Sequence, residues 1–120
     1  MELKGEAKLL RIFISSTDKF KNSPLYEVIL YAAKRYNLAG ATVLKGIMGY
    51  GGTSYISSSK FWEISEKLPV VVEIVDSAEK IDQFFEIIKP YFEKIKYGCI
   101  VTMEKANVVL YKTGQIKGKK

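Results

Sequence analysis

Val70-Val71-Val72-Glu73-Ile74-Val75 runs directly into Asp76-Ser77-Ala78-Glu79-Lys80-Ile81-Asp82-Gln83-Phe84-Phe85-Glu86-Ile87-Ile88. The first six residues form a nearly continuous β-branched run, the pattern of a strand buried on both faces. Asp76 followed three residues later by Glu79 has the spacing of a capping box. Ile81, Phe84, Phe85, Ile88 and Phe92 then keep helical spacing, so a helix follows the strand and buries that stripe in a core. Pro90 removes a backbone donor and disfavours helix at Lys89, which predicts a kink or break there.

A similar alternation lies upstream. Lys8 to Ser15 is rich in β-formers, with Leu10, Ile12 and Ile14 on one face. Ser16-Thr17-Asp18 and Asn22-Ser23 form a polar connection, and Pro24 suits the first helical position after a Ser23 cap. Leu25, Val28, Ile29, Ala32 and Ala33 make an amphipathic stripe that should end near Asn37, with Gly40 just beyond. A strand is expected from about Ala41 to Met48, broken by Gly49-Tyr50-Gly51-Gly52. Thr53 to Ser59 reads as a Ser-rich loop around Tyr55, and Phe61, Trp62 and Ile64 as strand again. Two short strands, about Cys99 to Met103 and Asn107 to Tyr111, close the chain.

The order β-α-β-β-α-β with an extra C-terminal strand predicts an α+β, ferredoxin-like sandwich, both helices covering one face of an antiparallel sheet. One such domain should span residues 8–112, with tails at 1–7 and 113–120. The uncovered face must carry Leu9, Phe13, Val71 or their alternates. Left in water this would be a large apolar patch, so self-association is expected to cover it.

Composition narrows the chemistry. The 120 residues are 48% hydrophobic and 27% charged, which suits one globular domain and excludes disorder. No apolar run approaches the roughly 18 residues of a membrane span. The first residues lack the apolar core of a signal peptide, and Cys99 is the single cysteine, so a reducing cytoplasm is the expected setting. With no histidine and one cysteine, a Cys/His zinc cluster and Ser-His or Cys-His nucleophile pairs cannot be built. No metal is expected. The net charge is +6, but Lys117, Lys119 and Lys120 in the Gly- and Lys-rich last eight residues account for three of it. The mild remainder suits a small anionic ligand as well as it suits a phosphate backbone.

Several motifs compete. Gly46-Ile47-Met48-Gly49-Tyr50-Gly51-Gly52-Thr53 nearly has Walker A spacing, but Gly52 replaces the phosphate-reaching lysine, and the match is rejected. Glycines there could still turn backbone N–H groups toward an anion. Lys45-Gly46 resembles the start of an RNA-recognition signature, yet Ile47 and Met48 replace the stacking aromatics, which argues against nucleic acid as the partner. Arg11, between Leu10 and Ile12, is expected to pair with Glu73 on a neighbouring strand. Cys99 reads as a small packed hydrophobe. Glu63 and Glu66 fall on different strand faces, which argues against a catalytic carboxylate pair.

Gly40-Ala41-Thr42-Val43, Gly49-Tyr50-Gly51, Leu68-Pro69 leading into Glu73-Ile74-Val75, Gly98, Val108-Val109 and Lys112-Thr113-Gly114 together resemble the PII signal-transduction family. Leu10-Arg11-Ile12, Asp18-Lys19, Pro24-Leu25-Tyr26 and Gly46 to Gly51 are closer still to its PII-like group known as domain of unknown function 190. The resemblance covers Lys8 to Gln115. It implies a homotrimer with an adenine nucleotide in each cleft between subunits. Thr42 and the turn Gly49-Tyr50-Gly51 match positions that approach the nucleotide, Gly98 a glycine of the phosphate-binding loop, and Lys112 a basic residue from the adjoining subunit. Cys99 stands in place of a phosphate-binding lysine and Leu110 in place of an arginine, so ADP or AMP is expected over ATP.

The expected function is therefore a PII-like sensor without catalytic turnover. The loop from Tyr50 to Lys60 would signal nucleotide binding to a protein target, a transporter or an enzyme. A small RNA-binding module and a small phosphate-ester hydrolase acting through Arg11 are the alternatives.

Overall fold

The computed structural model describes residues 5–50, 57–58, 67–95 and 98–114. In chain order the elements are β1 (Gly5–Ser15), β2 (Lys19–Phe20), β3 (Ser23–Pro24), α1 (Leu25–Arg35), β4 (Gly40–Lys45), β5 (Met48–Gly49), β6 (Ser57–Ser58), β7 (Pro69–Ser77), α2 (Ala78–Ile88), a 3-10 turn (Lys89–Phe92) and β8 (Ile100–Val108). The main sheet has the order β4-β7-β1-β8, antiparallel throughout. Both helices pack on one side of it. Leu10, Ile12, Ile14, Val70, Val72 and Ile74 meet Leu25, Ile29, Ala32, Ile81, Phe84 and Ile88 in a single buried core. This is the expected ferredoxin-like sandwich.

Local details depart from the sequence reading. Burial along β7 alternates, so Val71, Glu73 and Val75 remain partly open where burial on both faces was expected. Ser77, rather than Asp76, caps α2, its hydroxyl accepting from the Lys80 N–H at 3.3 Å. The helix stops at Ile88, and Pro90 lies in the 3-10 turn that follows. α1 ends at Arg35, close to the end expected near Asn37, and Asn37 itself, with φ 59°, takes the left-handed closing position. The Leu38 N–H donates to the Ala33 carbonyl and the Asn37 N–H to the Lys34 carbonyl, both at 3.0 Å, which together form a Schellman closure.

The polar connection at 16–24 contains a small hairpin. Lys21 and Asn22, with φ 49° and 71°, make the two-residue turn between β2 and β3 that strand twist favours. No side chain caps α1 at Pro24; the Leu25 N–H instead donates to the Asp18 carbonyl at 2.8 Å. The strand expected over 41–48 ends at Lys45, and Met48–Gly49 pairs separately with Ser57–Ser58 in what was read as loop. In place of two short terminal strands, β8 runs unbroken from Ile100 to Val108, and residues 109–114 follow without strand pairing. The strand expected at Phe61, Trp62 and Ile64 lies outside the described residues, as do Tyr55, Glu63 and Glu66.

Candidate functional site

The strand register assigns every sheet residue to a face. On the side away from the helices, Leu44, Val71, Phe13 and Ile100 form one row across the four strands. Thr42, Glu73, Arg11 and Thr102 form the next, and Gly40, Val75, Leu9 and Glu104 a third. Phe13 is 37% exposed, and Leu44 and Ile100 are each 49% exposed. The face is open at the Phe13 end in a single chain, whereas Ala7, on the same face toward the other end of β1, is fully buried.

Arg11 sits in the middle of it. Its Nε donates to Glu73 at 3.0 Å and its Nη1 to Glu104 at 2.9 Å, so the expected pair with Glu73 is extended by a second carboxylate. Hydrogen bonding to Glu73, then to Glu104, raises the guanidinium pKa above its ordinary value. An arginine engaged in this way has fewer donors left for a phosphate ester, the role that the hydrolase alternative needs. The RNA alternative meets a similar obstacle. Lys45-Gly46 lies on and just beyond the edge strand β4, while the two central strands present Phe13 and Glu73 on their open face rather than paired aromatics.

The expected nucleotide-binding residues fall in three places. Gly49 and Tyr50 lie just past the end of β4, where that strand finishes beside the start of β7. The Gly46 N–H donates to the Pro69 carbonyl at 2.7 Å. A Cβ on Gly46 would come within 3.0 Å of the Pro69 ring, and one on Gly49 within 3.4 Å, so the turn is seated against a rigid proline. Tyr50 projects outward and is 72% exposed. Gly51 and most of the expected signalling loop, Tyr50 to Lys60, lie outside the described residues.

Gly98, with φ 78°, precedes β8 at the same end of the sheet but on the opposite edge. Three strand spacings separate the two edges, about 14 Å at about 4.8 Å per step. Within one chain the two glycine turns therefore flank the sheet without meeting. Thr42 is exposed midway along β4. Lys112 belongs to the far end of the sheet: Tyr111 and Thr113 on either side of it line a cleft of about 1050 Å³ with Lys34, Lys80, Gly40 and Ala41.

One residue that anchors this region was read only as a helix cap. Asp76 is 1% exposed, and its carboxylate accepts from the Ala39 N–H at 2.8 Å and the Ser77 N–H at 2.6 Å. It thereby ties the end of β7 and the start of α2 to the chain entering β4. An aspartate at the predicted strand-to-helix junction was the available signal; its burial and its partner, 37 residues away, are not visible in the pattern. Cys99 packs against the core, and burial, with a smaller contribution from the negative charge of Asp18, raises its thiol pKa. That favours the packed role expected for it. Among the described residues no cluster of three His, Cys, Asp or Glu side chains could hold a metal, and no helix is long and apolar enough to cross a membrane.

Comparison with known proteins places this geometry in a family. The DUF190 family model, described as Uncharacterized ACR, matches residues 7–108. A UPF0166 protein of Aquifex aeolicus is 43% identical over 102 residues, covering 85% of this chain and 92% of that protein. One from Methanocaldococcus jannaschii is 33% identical over 103 residues, 86% of this chain and 92% of its own length. Among solved structures, a putative PII-like signalling protein from Thermus thermophilus has a TM-score of 0.61 at 23% identity, covering 91% of this chain and 94% of that one. CPII, a nitrogen regulatory PII-like protein from Thiomonas intermedia solved with ADP, AMP and bicarbonate, has a TM-score of 0.60 at 14% identity, covering 86% and 90%. With a family match across nearly the whole sheet-and-helix core and a fold shared with these structures, the chain belongs to the DUF190 family and is PII-like in fold.

Proposed function

We propose that this protein is a PII-like regulator: a homotrimer that binds an adenine nucleotide between subunits and signals through the 50–60 loop to a protein partner, without catalytic turnover. The observation that carries the reading is the placement of the Gly49 and Gly98 turns at one end of the sheet but on opposite edges. A cleft lined by both turns needs the edge of one copy beside the opposite edge of the next. Around a closed ring of three, each copy contributes one edge to each of two clefts. Covering the apolar row Leu44-Val71-Phe13-Ile100 would supply the driving force.

The nucleotide class is supported by CPII, whose structures of the same fold carry ADP and AMP. Backbone N–H groups at the Gly49-Tyr50-Gly51 turn and at Gly98, with Thr42, would approach the ligand, and Lys112, at the far end of its own sheet, would add a cation only from the adjoining subunit. Cys99 and Leu110, which stand where the resemblance to the PII family implies a lysine and an arginine, leave fewer charges for a triphosphate and favour ADP or AMP. The setting is cytoplasmic.

Thermal melts with ADP, AMP and ATP, together with a light-scattering mass, test the proposal. A ligand at 100 times its Kd should stabilise the native state by about 2.7 kcal/mol. The expected result is a trimer mass and a rise of several degrees with ADP or AMP, larger than with ATP. A trimer whose melting ignores all three nucleotides would eliminate the sensing mechanism, and a monomer would eliminate the site.

A further inference from the structure

We infer that Lys19, on the hairpin that joins β1 to α1, is the cation that holds the ligand's phosphates beside the Gly98 turn and so distinguishes ADP from AMP. This deepens the nucleotide reading and rests on it. A positive charge is what this end of the sheet lacks, since Cys99 follows Gly98 and carries none. Lys19 is exposed and takes no part in the core or in either glycine turn.

Strand register brings the hairpin to that end. β1 and β8 run with Phe13 opposite Ile100, and the same register carried past that pair sets Ser15 level with Gly98. On the other side of β1, Ser15 pairs with Pro69, which seats the Gly46 and Gly49 turn. The chain leaving β1 therefore emerges between the two glycine turns, and it is tied there. The Ser16 N–H donates to the Leu68 carbonyl at 2.8 Å, and the Leu68 N–H to Ser16 Oγ at 2.9 Å. The Ser15 N–H donates to the Asp18 carboxylate at 2.9 Å, and the Asp18 N–H to the Ser15 carbonyl at 3.1 Å. Lys19 follows at once. Phe20 then meets Tyr91 at 4.7 Å between ring centroids, which fixes the hairpin against the 3-10 turn that leads toward Gly98. The charge of Asp18 is close enough to Cys99 to contribute to its raised thiol pKa.

The three charges of the hairpin have different surroundings. Asp18 is 2% exposed, with its carboxylate turned inward onto the Ser15 N–H. Lys21 lies over the Phe20 ring, 5.4 Å from its centroid. Lys19 forms no hydrogen bond or ion pair with any described residue. An ammonium on a flexible four-carbon stem can turn to a phosphate oxygen as a point charge, without the bidentate fit that an arginine needs. The Gly98 turn offers backbone dipoles, whereas Lys19 offers a full charge, whose attraction grows with the charge on the ligand. ADP carries one phosphate more than AMP, so Lys19 stabilises bound ADP more than bound AMP. One lysine does not replace both basic residues missing at Cys99 and Leu110, so the ligand this cation fits is a diphosphate rather than a triphosphate.

Calorimetric titration with ADP and with AMP tests this on the wild type, Lys19→Gln, Lys19→Arg and Lys21→Gln, all substitutions at exposed positions outside the core. The wild type should bind ADP more tightly than AMP. Lys19→Gln should weaken ADP about tenfold, the loss of one charge-assisted contact, and AMP less, so that the ratio of the two affinities shrinks. Lys19→Arg, which keeps the charge, should stay within about threefold of wild type for both nucleotides. Lys21→Gln should match wild type. ADP binding by Lys19→Gln as tight as wild type, an equal loss for ADP and AMP, a loss as large in Lys21→Gln, or no rescue by Lys19→Arg would overturn the inference and leave the nucleotide site standing. So would a wild type that binds AMP as tightly as ADP. A wild type that binds neither nucleotide would overturn the site itself.

Discussion

Replacing Asp76 by alanine should cost this protein about 3–5 kcal/mol, a large share of the 5–15 kcal/mol typical of a natural domain. The carboxylate is 1% exposed and accepts from the Ala39 and Ser77 N–H groups. A hydrogen bond to a charged group contributes about 1.5–3 kcal/mol, and each donor stranded away from water adds a desolvation cost. The nearby Lys80 ammonium, 3.5 Å from Asp76 and partly exposed, adds little. Asp76→Asn keeps one acceptor but turns its amide toward a donor, and should cost about 1–3 kcal/mol. The contrast is Asp82→Ala. Its ion pair with Lys8 is short, at 2.7 Å, but Asp82 is 54% exposed, so the loss should stay below about 1 kcal/mol. Urea unfolding followed by circular dichroism at one fixed protein concentration would rank the three variants, since association adds its own stability. Indistinguishable midpoints for Asp76→Ala and Asp82→Ala would refute the assignment of Asp76 as the tie between β7, α2 and the entry to β4.

Three further outcomes follow from local geometry. Gly46→Ala should lower stability by about 1–2 kcal/mol and weaken any ADP-induced rise in melting temperature, because the new Cβ lies 3.0 Å from a proline ring that cannot rotate away; an unchanged melt with and without ADP would contradict this. Asn37→Ala should cost about 1 kcal/mol by forcing an ordinary side chain into the left-handed conformation, while Asn37→Gly should match or exceed wild type in the same unfolding assay. Cys99 should react slowly with a disulfide reagent at pH 8. Its raised pKa leaves less thiolate there than in a free cysteine, and the rate should climb as pH rises past the ordinary thiol range. Asp18→Asn should shift that profile to lower pH by only part of the displacement, since burial is the larger cause; a profile like that of free cysteine would exclude the packed environment.

Much of the fold was legible because its signals are local. The apolar stripes at Leu25 to Ala33 and at Ile81 to Ile88, the alternation at Leu10-Ile12-Ile14 and the break at Pro90 each reflect the period of one element, and both helices and all four main strands were identified. The misreadings cluster at junctions. Whether Asp76 or Ser77 caps α2, and whether 99–111 holds one strand or two, depend on which distant backbone groups are within reach. Ala39 claims the Asp76 carboxylate, which leaves Ser77 as the cap. Pairing with β1 keeps β8 continuous through Glu104, Lys105 and Ala106, where the sequence alone suggested a break.

The amino-acid order by itself determined which residues are glycine, which faces are apolar, and that histidine chemistry is absent, because composition and period need no partner to be read. Only the tertiary structure decided that the glycine turns occupy opposite edges of one sheet end and that Arg11 is shared between two carboxylates at the centre of the open face. Those relations join residues 49 and 98, and 11 and 104, whose separation along the chain carries no distance information until strand order β4-β7-β1-β8 brings some together and holds others apart.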